Sequence, residues 1–140
     1  MKKLFFIWLS LALSMAACQT AKPAETITGS AVNVDGGSYL NVTPTELKNM
    51  LANKDFVFVN VHIPFAGNIA KTDLSIAYDQ IEQNLTQLPV DKNAKIVLYC
   101  RSGRMSAIAA EALVKLGYTN LWNLDGGMAA WEQAGYEIQK

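Results

Sequence analysis

Lys95-Ile96-Val97-Leu98-Tyr99-Cys100-Arg101-Ser102-Gly103-Arg104-Met105-Ser106 is the stretch whose pattern decides the fold. Ile96 to Tyr99 is a continuous apolar run, the mark of a strand buried on both faces. From Met105 to Leu116 apolar residues recur at helical spacing, and Gly117 follows as a C-terminal stop. A strand running through a short polar loop into a helix is half of a βαβ unit. Its counterparts lie on either side. Phe56-Val57-Phe58-Val59-Asn60-Val61 is a second apolar run, and Asn120-Leu121-Trp122-Asn123-Leu124 a weaker third.

Helical patterns separate these runs. Thr43-Pro44-Thr45-Glu46 predicts a helix start, with Thr43 as N-cap, Pro44 in the first helical position and Glu46 three residues after the cap. Leu47, Met50 and Leu51 then share one face. Asp79 to Leu88 predicts a second helix, with Ile81, Leu85 and Leu88 on one side. Gly126-Gly127 opens a last helix through Trp131, closed by Gly135. Alternating strands and helices of these lengths predict one α/β domain: a mostly parallel sheet with helices on both faces. Trp122 and Trp131 are expected to be packing residues.

The 140 residues suit a single domain. Twelve basic and twelve acidic side chains give no net charge, hence no electrostatic reason to expect nucleic acid. At the N-terminus, Met1-Lys2-Lys3 is a short basic region and Leu4 to Leu13 an apolar run broken only by Ser10. Small residues lead into Met15-Ala16-Ala17-Cys18. That is the shape of a signal peptide over residues 1–17, too short for a spanning helix.

Met-Ala-Ala-Cys resembles the lipobox of bacterial lipoproteins, although Met15 stands where leucine is usual. The resemblance implies lipidation of Cys18 and export. It also implies anchoring to a bacterial membrane, on the periplasmic face of the outer membrane in a Gram-negative cell because Gln19 is not Asp. The alternative is a plain signal peptide cut after Ala17. Residues 18–38 are small and polar without periodicity, and are expected to form a flexible tether to a folded domain over 39–140. With Cys18 lipidated, Cys100 is the one remaining thiol of two, without a disulfide partner and short of ligands for a metal site. In an oxidising compartment it is either buried and inert or chemically employed.

Its surroundings favour employment. In open α/β sheets ligands gather at the carboxyl ends of strands. A helix starting there aims unpaired N–H groups and its positive dipole end at the loop, so a thiolate, a persulfide or a bound oxyanion is stabilised. Gly103 permits the tight turn, Arg101 and Arg104 supply forked donors for an oxyanion, and Ser102 and Ser106 supply hydroxyls. An inert strand-end cysteine would not need two arginines, a glycine and two serines within six residues.

Val97-Leu98-Tyr99-Cys100-Arg101-Ser102-Gly103-Arg104-Met105-Ser106 closely resembles the active-site loop of single-domain rhodaneses. Leu124-Asp125-Gly126-Gly127-Met128-Ala129-Ala130-Trp131 resembles the segment that follows it in that family, and Ile76 to Ile81 resembles the family's run into its next helix. The resemblance implies a sulfurtransferase that moves a sulfane sulfur from a thiosulfate-like anion to cyanide or a thiol through a persulfide on Cys100. It implies no cofactor and a monomer. Carried over by position, Cys100 is the nucleophile, and Arg101, Ser102, Gly103, Arg104, Met105 and Ser106 are candidate substrate-binding residues. Many relatives place the second arginine one position later, where this chain has Met105.

Two departures matter. Cysteine phosphatases need Cys-x5-Arg, but Ser106 stands six positions after Cys100, which argues against phosphatase or arsenate reductase chemistry. Relatives usually carry Asp-Val-Arg and then Gly-His-Ile-Pro-Gly-Ala. Here those stretches read Asn60-Val61-His62 and Gly67-Asn68-Ile69-Ala70-Lys71-Thr72, so a charged pair is missing, which Lys71 and Asp73 are candidates to replace. His62, the single histidine, is expected to be a solvated loop residue. The altered wall keeps a second class open: a membrane-tethered binding module without turnover.

Overall fold

The computed structural model describes residues 26–140. The expected signal peptide, Cys18 and the start of the expected tether lie outside them.

The chain enters through a hairpin of β1 (Ser30–Val34) and β2 (Gly37–Val42), antiparallel around an Asp35-Gly36 turn. This corrects the expected tether, which was drawn to residue 38. Val32 and Val34 pack against the core alongside Tyr39, so the chain is held well before that point. The alternation Ala31-Val32-Asn33-Val34 before Asp-Gly is a hairpin signal that the small polar composition of the region masked.

Helix α1 (Pro44–Ala52) starts where Thr43 and Glu46 predict. The Thr43 hydroxyl accepts from Glu46 N–H at 3.2 Å, and Thr43 N–H donates to the Glu46 carboxylate at 2.8 Å. Such a reciprocal cap is worth about 1 kcal/mol. Then follow β3 (Val57–Asn60), a two-residue β4 (Leu74–Ser75), β5 (Ile96–Tyr99), α2 (Arg104–Lys115), β6 (Leu121–Leu124) and α3 (Gly127–Gln133). The sheet order is β1-β2-β6-β5-β3-β4, parallel throughout except for β1 with β2.

One expected helix is not α-helical. Residues 79–88 lie in two 3-10 segments, Tyr78–Gln80 and Glu82–Gln87. Asn84 leaves helical geometry at φ −116°, and its side-chain amide bonds the Gln80 carbonyl. Asn and Thr86 are weak helix formers, and Asn competes for backbone partners. Ile81 and Leu88 are buried all the same, as the spacing predicts.

The sheet is covered on both faces. Val59, Val61, Ile96, Leu98 and Leu121 face Ala109, Ala110, Leu113 and Val114 of α2. Phe58, Val97, Tyr99 and Leu124 face Leu47, Met50 and Leu51 of α1, together with Met128 and Trp131 of α3. Every residue of β5 is buried, which is why its sequence is apolar without alternation. Period-two geometry places Cys100 on the α2 face, in one cluster with Leu98 and Val61.

Candidate functional site

Cys100 follows the central strand β5 at its carboxyl end, 1% exposed. The chain turns at once: Gly103 adopts φ 93°, ψ −14° and forms the N-cap of α2. That left-handed geometry suits glycine, and it brings Gly103 N–H to 3.0 Å from Cys100 Sγ. Ser106, buried in the first turn of α2, donates its hydroxyl to Sγ at 3.4 Å and to the Gly103 carbonyl at 3.2 Å. No side chain caps α2, so its first-turn N–H groups are left for another acceptor. The sulfur therefore sits among hydrogen-bond donors at the amino-terminal end of a helix.

The loop's remaining residues divide by role. Arg101, Ser102 and Arg104 are exposed, and neither arginine forms an ion pair with the described residues. Met105 is half-buried and packs against the core cluster that contains Cys100.

The Gly126-Gly127 turn supports the loop from beneath. Met128 N–H donates to the Cys100 carbonyl at 2.8 Å, and Ala129 N–H to that of Arg101 at 2.9 Å. The start of α3 thus fixes the backbone of the loop residues themselves. The sequence pattern marks these glycines as the start of a helix; the tertiary contact ties that start to the Cys100 loop.

The residues that depart from the family pattern form a neutral hydrogen-bonded network, centred on Tyr99 on the α1 face of the sheet and so on the opposite face from Cys100. Asn60, buried at the end of β3, donates to the Gly67 carbonyl at 3.0 Å and to Asn68 Oδ1 at 2.9 Å. Tyr99 hydroxyl accepts from Ile69 N–H at 3.0 Å, lies 2.7 Å from the Thr72 hydroxyl and donates to Asn68 Oδ1 at 3.2 Å. Burial raises the Tyr99 pKa, opposed by its hydrogen bonds to Thr72 and Ile69, and the phenol stays neutral.

Lys71 and Asp73 do not restore charge here. Lys71 Nζ donates to the Leu51 carbonyl of α1 at 2.6 Å. Asp73 accepts from Phe58 N–H at 2.7 Å and pairs with Lys54. Phe58 is paired with Val97, three residues before Cys100 and so about 10 Å along the strand.

His62 also differs from expectation. It is half-buried, its N–H donates to Asn60 Oδ1 at 3.0 Å, and its Nδ1 is buried without a hydrogen-bond partner. Because Asn60 pairs with Tyr99, His62 leaves the sheet edge beside Arg101. Burial lowers its pKa, and the nearby Arg101 charge lowers it further. The stability linked to neutral His62 is therefore present above the unfolded-state value of 6.5 and is lost as pH falls through the lower folded value. As His62 is the single histidine, its imidazole NMR signals give a direct check. The titration midpoint is expected below 6.5 and closer to it in Arg101→Ala; a midpoint at or above 6.5 would contradict the burial argument.

Comparison with known proteins agrees with this geometry. A family model described as "Rhodanese-like domain" matches residues 43–134. A protein named Sulfurtransferase from Allochromatium vinosum is 31% identical over 87 residues, covering 61% of this chain and 79% of its own length. An uncharacterized protein of Synechocystis is 30% identical over 103 residues, covering 72% of this chain; the chain spans only 56% of that relative's length. Among solved structures, a rhodanese-like domain protein from Staphylococcus aureus superposes with a TM-score of 0.58 at 33% identity, covering 71% of this chain and 98% of that one. With a cysteine loop at the carboxyl edge of a mostly parallel sheet and a family match over most of its length, this chain belongs to the rhodanese-like family.

Proposed function

We propose that this protein is a sulfurtransferase that carries a sulfane sulfur on Cys100, from a thiosulfate-like donor to a thiophilic acceptor. The observation that carries the reading is the contact between Cys100 Sγ and Gly103 N–H at 3.0 Å, in the turn between a buried strand and an uncapped helix.

In the first half-reaction the Cys100 thiolate attacks the outer sulfur of thiosulfate. A sulfur–sulfur bond forms to Cys100, the bond to the sulfonate sulfur breaks, and sulfite leaves with that electron pair. In the second, cyanide or an acceptor thiolate attacks the terminal sulfur, and Cys100 departs as thiolate. Neither half needs a redox cofactor. The loop amides and the Ser106 hydroxyl support negative charge on sulfur in both states, while Arg101 and Arg104 offer forked donors to the donor's sulfonate oxygens. Supporting the reading beside the geometry is the sulfurtransferase name of the A. vinosum relative.

Incubating the full chain, purified in mild detergent, with thiosulfate and weighing it intact is the direct test. A gain of one sulfur atom is expected. If no sulfur is acquired and cyanide yields no thiocyanate, the domain is a binding module without turnover.

The same proposal places the protein on a membrane through Cys18, supported by the lipobox-like Met15-Ala16-Ala17-Cys18. Cells fed labelled fatty acid should incorporate it into the wild-type chain and not into Cys18→Ala. Equal labelling of both would refute the anchor.

A further inference from the structure

Among the described residues five large apolar side chains are prominently exposed, and their positions are uneven. Val90 and Leu116 lie at the edge of the sheet away from Cys100, before β5 and after α2. The other three lie toward the end of the sheet that carries the Cys100 loop. Ile63, 38% exposed, and Phe65, 63% exposed, lie on the loop that leaves β3 beside the Cys100 loop. Ile108, 42% exposed, sits one helical turn after Arg104 on the same outer face of α2.

On the same side of the molecule are Arg101 and Arg104, both exposed and without an ion-pair partner among the described residues. The loop bearing Ile63 and Phe65 is tied at both ends: His62 N–H bonds Asn60, and Asn60 bonds the Gly67 carbonyl and Asn68. An apolar pair presented on a held loop costs little further entropy when a partner covers it.

A small donor such as thiosulfate, or a small acceptor such as cyanide, has no use for an exposed phenylalanine. A polypeptide does, because apolar contacts around a desolvated centre supply most of the affinity at protein interfaces. The two unpaired arginines add a requirement for negative charge beside those contacts.

We propose that this rim docks a protein acceptor whose thiol is flanked by apolar and acidic side chains, which seat against Ile63, Phe65 and Ile108 and pair with Arg101 and Arg104. The proposal rests on the sulfurtransferase reading and names its acceptor class. An anionic lipid surface is a poorer occupant, since it brings no thiol to Cys100.

The test uses the full chain in mild detergent and two synthetic peptides, Glu-Leu-Cys-Leu-Glu and Lys-Ser-Cys-Ser-Lys. Persulfide-loaded protein should pass sulfur to the first at least about tenfold faster. Phe65→Ser should remove most of that preference while loading from thiosulfate at the wild-type rate. Fluorescence anisotropy with serine-for-cysteine versions of the peptides reads docking without sulfur chemistry, so a chain that never loads sulfur refutes the sulfurtransferase reading and still tests the docking face. Equal handling of the two peptides, or no effect of Phe65→Ser on the preference, overturns the proposal. So does Phe65-dependent binding to phosphatidylglycerol vesicles with no peptide preference, which would turn the loop toward a membrane.

Discussion

Cys100→Ser is expected to abolish sulfur transfer, with turnover of thiosulfate and cyanide falling by about 10³-fold or more. In the proposed mechanism Cys100 supplies the atom that forms and breaks both bonds, so no neighbour can substitute. Ser106 already lies 3.4 Å from Sγ, yet an alcohol at neutral pH is hardly ionised and an O–S link is no equivalent of a persulfide. The substitution is close to isosteric at a site 1% exposed, and serine can still accept from Gly103 N–H. The fold should therefore survive, with a melting temperature within a few degrees of wild type. Steady-state thiocyanate formation and a melting curve on the same sample separate the two effects. Residual transfer above about a tenth of wild type would remove Cys100 from the mechanism.

Gly127→Ala is expected to be the most damaging substitution apart from those at Cys100. Gly127 sits at φ 60°, where a Cβ costs about 1 kcal/mol or more. That Cβ would also stand 2.4 Å from the Cys100 carbonyl oxygen and 2.7 Å from the Arg101 carbonyl. Neither atom belongs to a flexible side chain, so either the loop or α3 must move, and overpacking of this kind typically adds 1–3 kcal/mol. A destabilisation of about 2–4 kcal/mol is expected on chemical denaturation. Whatever fraction stays folded should transfer sulfur poorly, because Met128 and Ala129 N–H hold those same two carbonyls. Gly135→Ala is the control: also at positive φ, 88°, but with nothing within 4 Å of the added methyl. It should show a smaller stability loss and normal turnover per folded molecule. Equal effects of the two substitutions would mean that backbone conformation alone, not support of the loop, accounts for Gly127.

Much of this was legible in the chain. The apolar run before Cys100 marks a buried strand because a strand covered on both faces has no polar side to alternate. Thr43 and Glu46 mark a helix start because both partners of the cap lie within one turn. Cys100, Gly103 and Ser106 fall within one turn and the start of one helix, so their contacts depend on local backbone geometry that residue type and spacing report.

Other features escaped for equally physical reasons. β1 and the first two residues of β2 fall within the expected tether because residues 18–38 are small and polar, and only packing of Val32 and Val34 into the core selects strand over coil. β4 has two residues, too few for any period to show. Residues 79–88 carry helical spacing, yet they settle into 3-10 turns, in which buried residues three apart can still share a side.

By itself, the sequence determined the α/β alternation, the position of the thiol at a strand-to-helix turn, and the donors around it, since all of these are short-range. It took the folded chain to show that Gly127 lies against the Cys100 carbonyl, that Asn60, Asn68 and Tyr99 join in one neutral network, and that Lys71 and Asp73 are engaged elsewhere. The fold likewise set His62 beside Arg101 with Ile63 and Phe65 on the adjoining loop. Each of these joins segments that are distant in sequence and meet where parallel strands end at a common edge, and no local pattern specifies which side chains face one another there.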